Sequence, residues 1–381
     1  MAYESIDKLQ KVLQETVFHY AQDSKKAAGR ALGTMVEIIT YYLLKSWELN
    51  DSISIERGLE EYGNPDITHN VEYSLHPVVN SYSIEFPNDG NSITSAKVLK
   101  ALIDYKVPLE GFEFKRAINL LSKSLTLRNA CTIASSPNSY LLCSFDTQVG
   151  EKFVLRVYEQ RHKAYAIFEC KRVGVEEGMK KGPQTIEKAK QGAYVARSVS
   201  SLQKVRNENG ELEGLIYKKD GTLIKAPFVD LMEQVIASDD SDLLRKFILT
   251  IGIVSNHGNW FTSELQNKEL RVLSQSYDWL LFLTDAGLSH FIDKLLLNPI
   301  IEHEVIKEAF QSSYTADKKK NSFTKVQMSL SADKMLLKFF KENLTEIESW
   351  FNVISPSGKN IVTLKSELSS LRDKNWKKIL I

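Results

Sequence analysis

The chain has 381 residues, 43% hydrophobic and 25% charged, with a formal net charge of +1 at pH 7. That composition excludes extensive disorder and leaves ample material for a core, while a charge so near zero points to no class of partner. Cys131, Cys143 and Cys170 are an odd number without CxxC spacing, which excludes a disulfide framework and a structural zinc site.

Met1-Ala2-Tyr3-Glu4-Ser5 lacks the basic and apolar regions of a signal peptide. Glu37, Asp285 and Asp293 interrupt the most apolar stretches, so a soluble, cytoplasmic protein with no membrane contact is expected. The first fifty residues read as helical, with Met35, Ile38, Ile39, Tyr42 and Leu43 spaced for one buried face and Glu37 among them. From Ser52 to Asn91 the chain turns to short strands and loops, including Ser52 to Glu56 and Asn80 to Phe86. Ser95 to Ser124 reads as helical again, with a break at Pro108.

Tyr140 to Phe145, Lys152 to Glu159 and Lys163 to Lys171 are β-rich and are expected to form a three-strand meander. The last delivers Glu169-Cys170-Lys171 at the end of the apolar run Ala164-Tyr165-Ala166-Ile167-Phe168. Alternation places Glu169 and Lys171 on one side and turns Cys170 back toward the interior. A helix over Gln184 to Lys204, a hairpin around Asp220-Gly221 and a buried strand, Phe247 to Val254, follow. From about Thr262 the chain reads as mostly helical, with a basic loop at Lys318-Lys319-Lys320.

A strand meander ending in Glu-x-Lys, then a helix, then a buried strand resembles the core of the PD-(D/E)XK nucleases, which includes many type II restriction endonucleases. Acid-x-Lys triplets recur at Asp23, Asp104, Glu113 and Asp317, but only Glu169-Cys170-Lys171 ends a long apolar strand. The resemblance implies an α/β fold: a restriction-endonuclease-like core with a central mixed sheet flanked by helices, plus helical and loop-rich additions. It implies N-terminal helices of the core over 1–51, an inserted region serving DNA recognition over 52–130, the catalytic core over 131–261, and a helical region for recognition or dimerisation over 262–381.

By the same resemblance Glu169 holds Mg²⁺, with the Cys170 carbonyl facing the metal, and Lys171 orients water and offsets charge on the attacked phosphate. The partner acid is Asp146, favoured, or Glu151, which flank one turn; Pro65-Asp66 lies too far upstream for a simple hairpin. Glu37 resembles an additional ligand from the first core helix, and Lys188 with Gln191 resembles the polar face turned toward the cleaved strand. Tyr194 follows Gln191 by three residues rather than four, which argues against the related exonucleases.

Basic residues from Lys163 to Arg206, including Lys171, Lys188, Lys204 and Arg206, form a band suited to phosphate contacts. His257 and Trp260 follow the buried strand and read as loop or packing residues. The expected protein is therefore a Mg²⁺-dependent type II restriction endonuclease acting on double-stranded DNA as a homodimer. The alternatives are a structure-specific repair or recombination nuclease and a noncatalytic DNA-binding protein.

Overall fold

The computed structural model describes residues 6–65, 67, 70–172, 195–196, 199, 202–218, 220–255, 268–314 and 321–380. Two helices come first, α1 (Ile6–Thr16) and α2 (Ser24–Ser46). Asp23 caps α2, its carboxylate accepting from the Lys26 N–H at 2.9 Å. Met35, Ile39 and Leu43 bury the expected face.

A six-stranded sheet follows, made of β1 (Ile53–Arg57), β2 (Val71–Leu75), β3 (Ala166–Arg172), β4 (Leu249–Ser255), β5 (Trp279–Leu283) and β6 (Phe351–Ser355). The strands lie side by side in chain order. β2 is antiparallel to β1 and β3, β6 is antiparallel to β5, and β3, β4 and β5 run parallel. Parallel strands need covering on both faces, and every residue of β4 and β5 is buried. Leu249, Ile251 and Ile253 each contribute about 2 kcal/mol by that burial.

α2 packs on one face, where Met35 and Ile39 share a core cluster with Phe168 and Cys170. On the other face Val195 and Val199 pack with Ile167, and Ala196 with Val254 and Tyr277. Val195, Ala196 and Val199 are helical, as the stripe over Gln184 to Lys204 predicts, but Gln203–Arg206 is a strand. It pairs with the hairpin Leu212–Tyr217 and Leu223–Pro227, whose turn carries Gly221 at φ +82°.

The expected meander does not form. Ser139–Val149 and Lys152–Arg161 pair with each other, but the other edge of Lys152–Arg161 takes Val78–Pro87, from Lys152 opposite Pro87 onward. With both edges filled, no place is left for β3, which pairs with β2 and β4 instead. Val78–Pro87 and Lys152–Arg161 belong to a separate five-stranded sheet, inserted between β2 and β3, with a core built on Ile84, Val98, Leu120, Ile133 and Val157. Within that insertion Ser95–Asp104 is helical, but Glu113–Phe114 and Asn119–Leu121 are strands rather than a continued helix.

Among the described residues the last third is mainly helical, apart from β5 and β6, which complete the six-stranded sheet, and Gln327–Ser329, which pairs with Thr126–Arg128. Among the described residues no helix is long and apolar enough to cross a membrane.

Candidate functional site

β3 is held at its start from both sides. The Tyr165 N–H donates to the Leu75 carbonyl at 2.8 Å, and the Leu249 N–H donates to the Tyr165 carbonyl at 2.9 Å. Among the described residues pairing with β2 ends at Phe168 opposite Tyr73, while pairing with β4 continues to Arg172. β2 and β3 therefore part where Glu169 begins.

Glu169 and Lys171 project together, as alternation requires, and Lys171 Nζ lies 3.1 Å from Glu169 Oε2. The carboxylate is buried, with 1% of the side chain exposed, whereas the lysine keeps 31%. One end of the ion pair is thus fixed in the protein and the other reaches solvent. The face they occupy is set by Gly252, the register partner of Glu169 on β4. A Cβ at Gly252 would meet the Tyr277 ring at 2.8 Å, so Glu169 points to the side of the sheet that Tyr277 covers.

Cys170 faces the other way, its thiol donating to Thr40 Oγ1 on α2 at 3.5 Å. Burial pushes the thiol up to about 12, with the charges of Glu37 and Glu169 acting in the same direction and the Thr40 bond opposing. Buried against α2 and held well above its ordinary range, the thiol packs in the interior.

Glu37 lies on the Cys170 side and is engaged by Lys325, a residue the sequence did not single out. Lys325 Nζ stands 3.1 Å from Glu37 Oε2 and 3.2 Å from Glu56 Oε1, and it also pairs with Glu72. Its side chain is 3% exposed. Glu56 reaches the cluster from a left-handed backbone, φ +49°. Three carboxylates from α2, β1 and β2 thus surround one interior ammonium. The only available hint was the alternation in Val71-Glu72-Tyr73, since Lys325 has no distinguishing neighbours.

Neither expected partner acid stands beside Glu169. Asp146 belongs to the inserted sheet, where Arg156 Nε donates to its Oδ2 at 2.9 Å. Glu151 lies at the hairpin tip, its carbonyl accepting from the Asn88 N–H. The ten residues of Lys152–Arg161 span about 30 Å, so this tip is at the far end from the segment that leads into β3. The sequence separation that counted against Pro65-Asp66 is taken up by the inserted sheet. Asp66 lies outside the described residues, but its neighbour Ile67 packs against the cluster that contains Ile167, on the Glu169 side of β3.

The basic band is only partly at the surface. Lys204 is partly buried: its Nζ donates to the carbonyls of Ser274 and Tyr277, each at 2.7 Å, and desolvation pulls it down to about 8. Lys163 donates to the Arg245 carbonyl, and Arg206 to the Gly210 carbonyl. Lys188, Gln191, Tyr194, His257 and Trp260 lie outside the described residues.

Among the described residues no group of three or more His, Cys, Asp or Glu side chains forms a metal-binding cluster. Glu169 is a hard oxygen donor beside a solvent-reaching ammonium, which fits one carboxylate of a Mg²⁺ site completed from another segment. No protein-family model, curated protein or solved structure matches this chain.

Proposed function

We propose that the protein is a Mg²⁺-dependent endonuclease of the PD-(D/E)XK type that cuts double-stranded DNA at a specific sequence, working as a homodimer. The observation that carries this reading is the Glu169–Lys171 pair on β3 where β2 parts from it, in a sheet of chain-order strands preceded by α2. That order, helix, two antiparallel strands, the Glu-x-Lys strand, a helical segment and a parallel strand, supports a restriction-endonuclease-like core. It supports that core better than the consecutive meander would, because the insertion forms a separate sheet whose hydrophobic cluster is built mainly from its own residues.

In this reading Glu169 holds the metal, and Asp66 supplies the second carboxylate in place of Asp146 or Glu151, because its chain neighbour Ile67 packs on the Glu169 side of β3. Bound Mg²⁺ would supply Lewis-acid stabilisation of the attacked phosphate. Lys171, reaching solvent from its anchored partner, orients the attacking water and balances charge developing on the phosphate oxygens. The inserted sheet is assigned to DNA recognition, and two symmetric copies provide one site per strand.

The test is incubation of the full chain with a sequenced plasmid and Mg²⁺, followed by mapping of the ends. Discrete fragments sharing one sequence at their ends are expected. Degradation without fixed ends would point to a structure-specific nuclease. Binding without cutting across Mg²⁺ and Mn²⁺ titrations would leave a noncatalytic DNA-binding protein.

A further inference from the structure

Gly252 is the register partner of Glu169, and its lack of a side chain is used. Three carbons of the Tyr277 ring would lie 2.8–3.0 Å from a Cβ there, too close for any real one, so the ring occupies the space of a side chain beside the Glu169 carboxylate. The ring is held from behind. Lys204 Nζ takes the carbonyls of Ser274 and Tyr277 at the end of the Lys268–Ser276 helix, while itself sitting 4.4 Å from the centre of the Phe228 ring. Burial and then the charge of Glu169 push the Tyr277 phenol well above its ordinary range, so it stays neutral next to the carboxylate.

A rigid ring on the β4 side, anchored through its own backbone, limits the rotamers open to Glu169. We propose that Tyr277 is a positioning residue for Glu169: its ring fills the place left by Gly252 and fixes the direction in which the carboxylate presents its oxygens alongside Lys171. Lys204 in turn fixes the ring. This inference rests on the reading of Glu169 as a metal-holding carboxylate.

The test is Mn²⁺ binding to the full chain, followed by electron paramagnetic resonance, which needs no DNA and no turnover. Wild type is expected to bind Mn²⁺ and Glu169→Gln to lose it. Tyr277→Leu, and independently Gly252→Ala, should weaken binding about tenfold, the lower end of what displacing a supporting residue costs a metal site, while Tyr277→Phe keeps wild-type affinity. Thermal unfolding of each variant checks that it is folded at the assay temperature, and the two independent variants guard against either one failing to fold. If Tyr277→Leu and Gly252→Ala bind like wild type while Glu169→Gln does not, the positioning role is overturned and the metal site stands. Equal loss in the Phe and Leu variants overturns the ring argument in favour of the hydroxyl. Absence of Mn²⁺ binding by the wild type overturns the metal-site reading and this inference with it.

Discussion

Lys325 Nζ lies 3.1 Å from Glu37 Oε2, so the segment that leads into the Leu330–Glu342 helix is fastened to α2 by a lysine with almost no access to water. The same ammonium serves Glu56 and Glu72, while Asn129 of the inserted region donates to the Lys325 carbonyl at 3.0 Å. One residue thus joins both ends of the chain and the insertion.

Removing that charge leaves three carboxylates facing one another. Lys325→Met is expected to destabilise the protein by about 3 kcal/mol, the scale of breaking a buried ion pair from one side. Urea unfolding measures it; a midpoint equal to wild type would show that the cluster contributes nothing net.

A second consequence concerns the partner acid. Asp66→Asn should abolish Mg²⁺-dependent cleavage, whereas Asp146→Asn and Glu151→Gln should retain it, because both belong to the inserted sheet and Asp146 is already paired with Arg156. A plasmid-nicking assay on the three variants decides; activity surviving only in Asp66→Asn would return the assignment to the hairpin.

Stability at neutral pH depends on Glu367. Burial pushes its carboxyl up to about 7, while the Trp279 indole N–H, donating to Oε2 at 2.8 Å, works in the opposite direction. A carboxyl raised on folding costs nothing when both states are protonated. Its penalty grows from about pH 4.5 and is complete above about pH 7, where it reaches about 3 kcal/mol. Glu367→Gln keeps an acceptor for Trp279 and should raise the unfolding free energy by that amount at pH 8 but not at pH 4. An equal effect at both values would exclude ionisation as the cause.

Arg57 closes the neck of the inserted sheet. Its guanidinium donates to the His162 carbonyl at 2.6 Å, pairs with Glu61 at 3.2 Å and lies 4.4 Å from the centre of the Tyr140 ring. A lysine has neither the fork nor the flat surface for all three, so Arg57→Lys should cost about 2 kcal/mol in urea unfolding. Stability within experimental error of wild type would show that a point charge suffices.

The parts legible in the sequence were those whose signal is local. The periodic face of α2, the apolar run of β4 and the alternation that puts Glu169 beside Lys171 all depend on residues a few positions apart. Strand pairing is not local. β1 is legible as the short strand Ser52 to Glu56, but nothing local marks the five-residue β2 as the neighbour of β3, and the long strands Ser139–Val149 and Lys152–Arg161 point to a meander only because they precede β3 in the chain. The same reading of the meander is what placed Asp146 next to β3, whereas its strand pairs within the inserted sheet. Lys325 and Tyr277 act through neighbours distant in the chain, and only the fold brings them to Glu37 and Gly252.

If Glu169 and Lys171 carry phosphodiester hydrolysis, incubation of Lys171→Ala with a sequenced plasmid and Mg²⁺, beside a DNA-binding assay on the same variant, separates cutting from binding. The variant is expected to be a folded protein that binds the plasmid and leaves it intact under conditions where wild type produces discrete fragments. Cleavage by Lys171→Ala at the wild-type rate would contradict that role for the pair.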